Sequence, residues 1–168
     1  RDPGGVRGGA GARPRPLMRS GVRLALDIGS VRIGVARSDA TGTLAVPECT
    51  LDARREWLPQ LQQLVDAWEP LEIIIGLPVS LDGQERAAAA TIRSVATQIG
   101  THFPNVSLRL VDERHTTTIA HTLMHESGVS ARKGRRIVDQ AAAVIMLQQA
   151  LDTERATGEP PGMLMDGT

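Results

Sequence analysis

The chain contains no tyrosine, one phenylalanine and two tryptophans. Trp57, Trp68 and Phe103 are its only large aromatics, so it lacks the platforms on which single-strand binders stack bases. Any contact with nucleic acid would have to read shape and backbone. Cysteine is equally scarce: Cys49 stands alone, which excludes a disulfide framework or a cysteine metal site within one chain. It lies in an apolar stretch and reads as a small core residue. No run of apolar residues is long enough to span a bilayer, and no signal-peptide core is visible, so the expected location is the cytoplasm. There is no excess of either charge, since 19 basic residues balance 19 acidic ones. The body of the chain is therefore not a polybasic binder by net charge.

At 168 residues the chain is long enough for one domain with a full core. Its charge is unevenly placed. Residues 1–20 carry five arginines against Asp2 alone, in a Gly/Pro/Arg-rich stretch. Such a segment cannot bury enough apolar surface to offset the entropy of ordering it, and it is expected to be a disordered tail. The ordered domain is expected over 21–155, with a flexible tail at 156–168.

Strands are expected at 22–28 and 31–38, joined as a hairpin through Gly29-Ser30, and at 44–50. Residues 54–68 have helical spacing through Trp57, Leu58, Leu61, Leu64, Val65 and Trp68, with Pro70 as the stop. A short apolar strand at 71–75 leads into Gly76-Leu77-Pro78, and a helix follows over 84–99. Residues 106–111 alternate as a strand, 116–127 read as a helix stopped by Gly128, and 138–151 form an apolar helix. The order β-β-β-α-β-α-β-α-α implies an α/β domain. Its mixed five-stranded sheet has three antiparallel strands followed by parallel ones, flanked by helices.

Three acids stand at the edge of apolar structure. Asp27 ends the first strand, Glu113 follows the strand at 106–111, and Asp139 opens the last helix. Carboxylates are costly there unless compensated. Sites in open α/β sheets form beyond the carboxyl ends of parallel strands. Three carboxylates without histidine or cysteine suit Mg²⁺ or Mn²⁺, and such clusters usually serve phosphoryl chemistry. Each acid also has a plainer reading: Asp27 as a turn cap, Glu113 as a partner of Arg114 or Arg136, Asp139 as a helix N-cap.

The same segments resemble a known family. DIGSVRIGVARSD (27–39), GLPVSLDG (76–83), VDERHTT (111–117) and DQAAAVIMLQ (139–148) are similar to the four motifs of the YqgF/RuvX family, in the same order and spacing. Its members are described as Holliday junction resolvases and as nucleases that mature the 5′ end of pre-16S ribosomal RNA. The resemblance implies a ribonuclease-H-like fold. It further implies that Asp27, Glu113 and Asp139 are a catalytic, metal-binding acidic triad, and that Arg32, Arg114, Thr116 and Thr117 lie at the site. His115 departs from the apolar or aromatic residue usual in the family.

Other candidates surround this set. Arg32 could neutralise a phosphate or pair with Asp27 or Asp39. Arg132, Lys133, Arg135 and Arg136 form a basic run just before Asp139 that could grip a phosphate backbone, or be a solvated interhelix loop. Gly76-Leu77-Pro78 with Asp82-Gly83 could be an anion nest or simply a turn. His121 and His125 have a zinc-compatible spacing but lack the glutamate of the zinc-protease motif.

The expected function is a Mg²⁺- or Mn²⁺-dependent endonuclease acting on structured nucleic acid, either pre-16S rRNA or branched DNA, as a monomer or homodimer. A non-catalytic junction-binding or ribosome-assembly module is the alternative. A nucleotide phosphotransferase, suggested by the Asp-x-Gly hairpin, would need a second phosphate loop and a longer chain.

Overall fold

The computed structural model describes residues 18–80, 82–113 and 131–166, with 131–137 described by their backbone alone. The tail through residue 17, the expected helix at 116–127, and the residues Arg114, His115, Thr116, Thr117, His121 and His125 lie outside the described residues. So do the side chains of Arg132, Lys133, Arg135 and Arg136.

The three opening strands are β1 (Arg23–Ile28), β2 (Arg32–Ser38) and β3 (Ala45–Asp52). They are followed by α1 (Leu58–Trp68), β4 (Glu72–Leu77), α2 (Ala87–His102) and β5 (Ser107–Asp112). A long helix, α3 (Ala131–Thr157), and a short strand, β6 (Met163–Leu164), complete the described chain. The sheet has six strands in the order β3-β2-β1-β4-β5-β6. β1, β4 and β5 run parallel, and the other pairings are antiparallel.

β4 is buried along its whole length, as a strand covered on both faces must be. Alternation sorts the side chains of the sheet. Leu24, Leu26, Ile73, Ile75, Leu108 and Leu110 face a core closed by Leu61 of α1 and by Ala89, Ile92, Ala96 and Ile99 of α2. Ala25, Ala36, Ile74 and Val111 face the opposite way, onto Ala143, Met146, Leu147, Ala150 and Leu151 of α3. The domain is thus three layers, with α1 and α2 on one face of the sheet and α3 on the other.

Four expectations are corrected. The sheet has a sixth strand: Met163–Leu164 pairs with β5, and the Met165 N–H donates to the Leu108 carbonyl at 2.8 Å. Two residues with half-exposed side chains carry no periodicity by which to detect them. The last helix is already formed at Ala131, so the basic run lies on it rather than in a loop, and Asp139 lies inside the helix rather than at its start. It also runs on to Thr157. Finally, Arg19 does not belong to a free tail: its Nε donates to Glu154 at 2.7 Å and its Nη2 to Glu72 at 2.8 Å.

No helix among the described residues is long and apolar enough to cross a membrane.

Candidate active site

The parallel strands bring two of the acids to one edge of the sheet. Leu26 of β1 is level with Ile75 of β4, which is level with Leu110 of β5. One residue further, Asp27 stands beside Gly76, and Gly76 pairs in register with Val111. Glu113 follows β5, and its N–H donates to the Leu77 carbonyl at 3.3 Å. Asp27 shares the parity of Ala25, and Glu113 that of Val111, so both side chains project toward α3. Asp139 reaches the same edge from α3 itself.

Glycine on either side of Asp27 makes this possible. Gly34 lies directly opposite Asp27 on β2, and a Cβ there would run into the backbone carbonyl of Asp139. α3 can therefore press against the sheet at the residue that carries the third acid. Gly76 lies between Asp27 and Glu113, and a Cβ there would strike Glu113 Oε2 and the Met146 sulfur. Glu113 reaches across this bare strand to hydrogen-bond the Asp27 carboxyl.

The electrostatics follow from that contact. Burial is the main force raising Glu113, to about 8, with the nearby Asp27 charge, the hydrogen bond it donates to Asp27 and the Asp112 charge adding to it. Burial also raises Asp27; the hydrogen bond from Glu113 opposes this, and the Asp139 charge reinforces it. Glu113 thus keeps its proton where a free carboxyl has lost it. Asp139 is neutralised differently: Arg32 Nε donates to its Oδ2 at 2.5 Å, with both side chains partly exposed. Arg32 thus pairs with neither Asp27 nor Asp39, whose own carboxylate caps the Thr41–Leu44 turn.

Among the described residues, no three acidic, histidine or cysteine side chains stand close enough to hold one ion together. Asp27 and Glu113 touch one another, while Asp139 is turned toward Arg32. The donor set nonetheless fits a hard divalent cation. It consists of carboxylate oxygens alone, and its negative charge is compensated by a proton and a guanidinium.

Other candidates take structural places. Gly83 has a positive φ of 82°, and Ser80 and Gln84 close the Asp82-Gly83 turn through the 3.0 Å bond from the Ser80 N–H to the Gln84 carbonyl. Cys49 is half-buried on β3, where burial and the Glu48 charge push its thiol up. The two glycines flanking Asp27 were not singled out by sequence reasoning as spacers. Their signal was present: each interrupts an apolar strand, as glycine does where another chain segment comes close.

A sequence model of the RuvX family, described as Holliday junction resolvase, matches residues 21–153. The chain belongs to the RuvX family. A curated relative named "Putative pre-16S rRNA nuclease" from Streptomyces coelicolor is 49% identical over 151 residues, covering 88% of this chain and 89% of the relative. One of the same name from a Nocardioides species is 46% identical over 156 residues, covering 90% of this chain and all of the relative.

Two solved structures share the fold at low identity. T. thermophilus RuvC in complex with Holliday junction substrate has a TM-score of 0.52 at 11% identity, covering 83% of this chain and 98% of that one. Fowlpox virus resolvase in complex with Holliday junction DNA has a TM-score of 0.54 at 9% identity, covering 79% and 97%. This RuvX-family chain accordingly has the ribonuclease-H-like fold of those resolvases.

Proposed function

We propose that the protein is a divalent-metal-dependent endonuclease that hydrolyses phosphodiester bonds in structured nucleic acid. The observation that carries this reading is the meeting of half-buried Asp27 and Glu113 across Gly76, with Asp139 brought to them by α3. A structural carboxyl pair is costly to bury, and a hard cation is the partner that would relieve it. Asp27, Glu113 and Asp139 would hold Mg²⁺ or Mn²⁺. When bound, such an ion lowers the pKa of water and stabilises charge on phosphate oxygens.

The chain's own groups supply binding and orientation. Arg32, at the start of β2 and partly exposed, offers a guanidinium to a backbone phosphate. Arg132, Lys133, Arg135 and Arg136 precede Asp139 on α3 and are proposed to bind the phosphate backbone. Arg114, Thr116 and Thr117 directly follow Glu113 and are proposed as further substrate contacts. The scarcity of aromatics favours readout of shape and backbone over bases.

Processing of pre-16S rRNA is the substrate reading that the names of the relatives support; action at its 5′ end, in the cytoplasm, is proposed with it. Resolution of DNA junctions is the second reading, supported by the description of the family. The test is cleavage of a pre-16S leader RNA and of a four-way DNA junction in Mg²⁺ or Mn²⁺ by wild type and Asp27→Asn. The variant should lose cleavage of whichever substrate the wild type cuts while keeping its unfolding transition. Wild-type rates in the variant would overturn the site, and binding without cleavage of either substrate would favour a non-catalytic module.

A further inference from the structure

Arg32 and Asp139 come from different layers of the domain, one from the first residue of β2 and the other from within α3. Their contact, Nε to Oδ2 at 2.5 Å, is a charge-assisted hydrogen bond between partly exposed groups. It sits beside the Asp27–Glu113 pair, close enough for the Asp139 charge to be felt at Asp27. Yet the three acids do not form a common cation site in this arrangement among the described residues. The element that differs between Asp139 and the other two is the arginine.

We propose that Arg32 is a positioning residue that holds Asp139 away from the metal until a nucleic-acid phosphate takes the guanidinium, so that metal and substrate bind cooperatively through the exchange of one ion pair. The proposal rests on the metal-nuclease reading above and names how that site is switched. A guanidinium presents the same planar fork to a carboxylate and to a phosphate, so the exchange replaces one anion with another and leaves no orphaned cation. Arg32 lies at the rim, with 30% of its side chain exposed, where an incoming backbone can reach it. Asp139 then gains freedom to turn toward Asp27 and Glu113, and its charge is compensated by the cation instead of the arginine. Coupling follows from linkage: whatever phosphate does for metal affinity, metal does equally for phosphate affinity.

The test uses the full chain and Mn²⁺ binding measured by calorimetry or electron paramagnetic resonance, without reference to turnover. For the free protein, Arg32→Gln should tighten Mn²⁺ binding by roughly tenfold or more, because the metal no longer competes with a charge-assisted bond. Arg32→Lys, which keeps a cation for Asp139, should stay near wild type. The gain must pass through Asp139, so Arg32→Gln should bring none in an Asp139→Asn background. A simple repulsion between arginine and metal would survive that substitution.

A saturating phosphorothioate DNA oligonucleotide, chosen to resist cleavage, should tighten Mn²⁺ binding to wild type more than to Arg32→Gln. Unchanged Mn²⁺ affinity in Arg32→Gln, a gain that persists without the Asp139 carboxylate, or equal tightening by the oligonucleotide in both proteins would overturn the exchange. Equal Mn²⁺ binding by wild type and Asp27→Asn would instead overturn the metal-site reading beneath it.

Discussion

Glu113 reaches Asp27 across Gly76: the two acids belong to the ends of β5 and β1, and the strand between them carries no side chain at the crossing point. The resulting hydrogen bond can exist only while one of the two carboxyls keeps its proton. A site that combines burial with like charges in this way is tuned by pH and by cations together.

The pH dependence has a definite sign. Glu113 is raised from 4.5 to about 8 in the folded protein, by burial above all. Between those limits the native state holds a proton that the unfolded chain releases, so stability is fully present below about pH 4.5 and declines toward pH 8. In a chelator, the melting temperature should fall from pH 5 to pH 8, and Glu113→Gln should flatten that slope. Metal binding runs the other way: it requires ionised carboxyls, so Mn²⁺ affinity should rise with pH, by up to about tenfold per unit below pH 8. Calorimetry in two buffers of different ionisation enthalpy would show the released proton. An identical slope in wild type and Glu113→Gln would show that Glu113 keeps none.

The two glycines beside Asp27 should respond differently to a methyl group. At Gly34 the added carbon meets the Asp139 backbone, which can move only if α3 moves. Gly34→Ala should cost about 1–3 kcal/mol in urea unfolding, as overpacking does. At Gly76 the added carbon meets the ends of two flexible side chains, Glu113 and Met146, which can swing aside. Gly76→Ala should therefore lose less stability and yet separate Glu113 from Asp27, with cleavage falling sharply. A variant that kept both full cleavage and the pH slope of the wild type would show that the gap is not needed.

These residues also mark the limit of what the sequence discloses. The first five strands, α1, α2 and the sheet-facing part of α3 were legible because apolar spacing marks them, often with glycine or proline nearby. The three acids were conspicuous because they end or interrupt such runs, and the parallel strand order follows from the alternation of strands with helices. The partner of Arg32 was not legible, since the contact between β2 and α3 is set by tertiary packing and has no local signal. The length of α3 was also hidden: its ends are polar, so periodicity marks only the part that packs on the sheet. Nothing local marks Arg23 and Glu72, at the starts of β1 and β4, as wholly buried.

That burial leads to the last prediction. At the end of the sheet opposite Asp27, Glu154 of α3 accepts from Arg19 Nε at 2.7 Å and from Arg23 Nη2 at 3.2 Å. Glu72 accepts from Arg19 at 2.8 Å and from Arg109 at 3.0 Å. Arg23 is fully buried, and its Nε has no acceptor within hydrogen-bond reach among the described residues, standing 3.8 Å from Glu72 Oε1. Removing one anion from such a cluster leaves a buried guanidinium undercompensated, which costs far more than the intact cluster contributes. Glu154→Ala should lose on the order of 3 kcal/mol in urea unfolding. Glu85→Ala, which breaks the exposed pair with Arg93 at 2.6 Å, should leave the transition where it was. Because the cluster lies at the other end of the strands from the acids, the folded fraction of Glu154→Ala should cleave at the wild-type rate. An unfolding midpoint equal to that of wild type would mean that water reaches Arg23 once the glutamate is gone, and that the cluster does not lock α3 to β1.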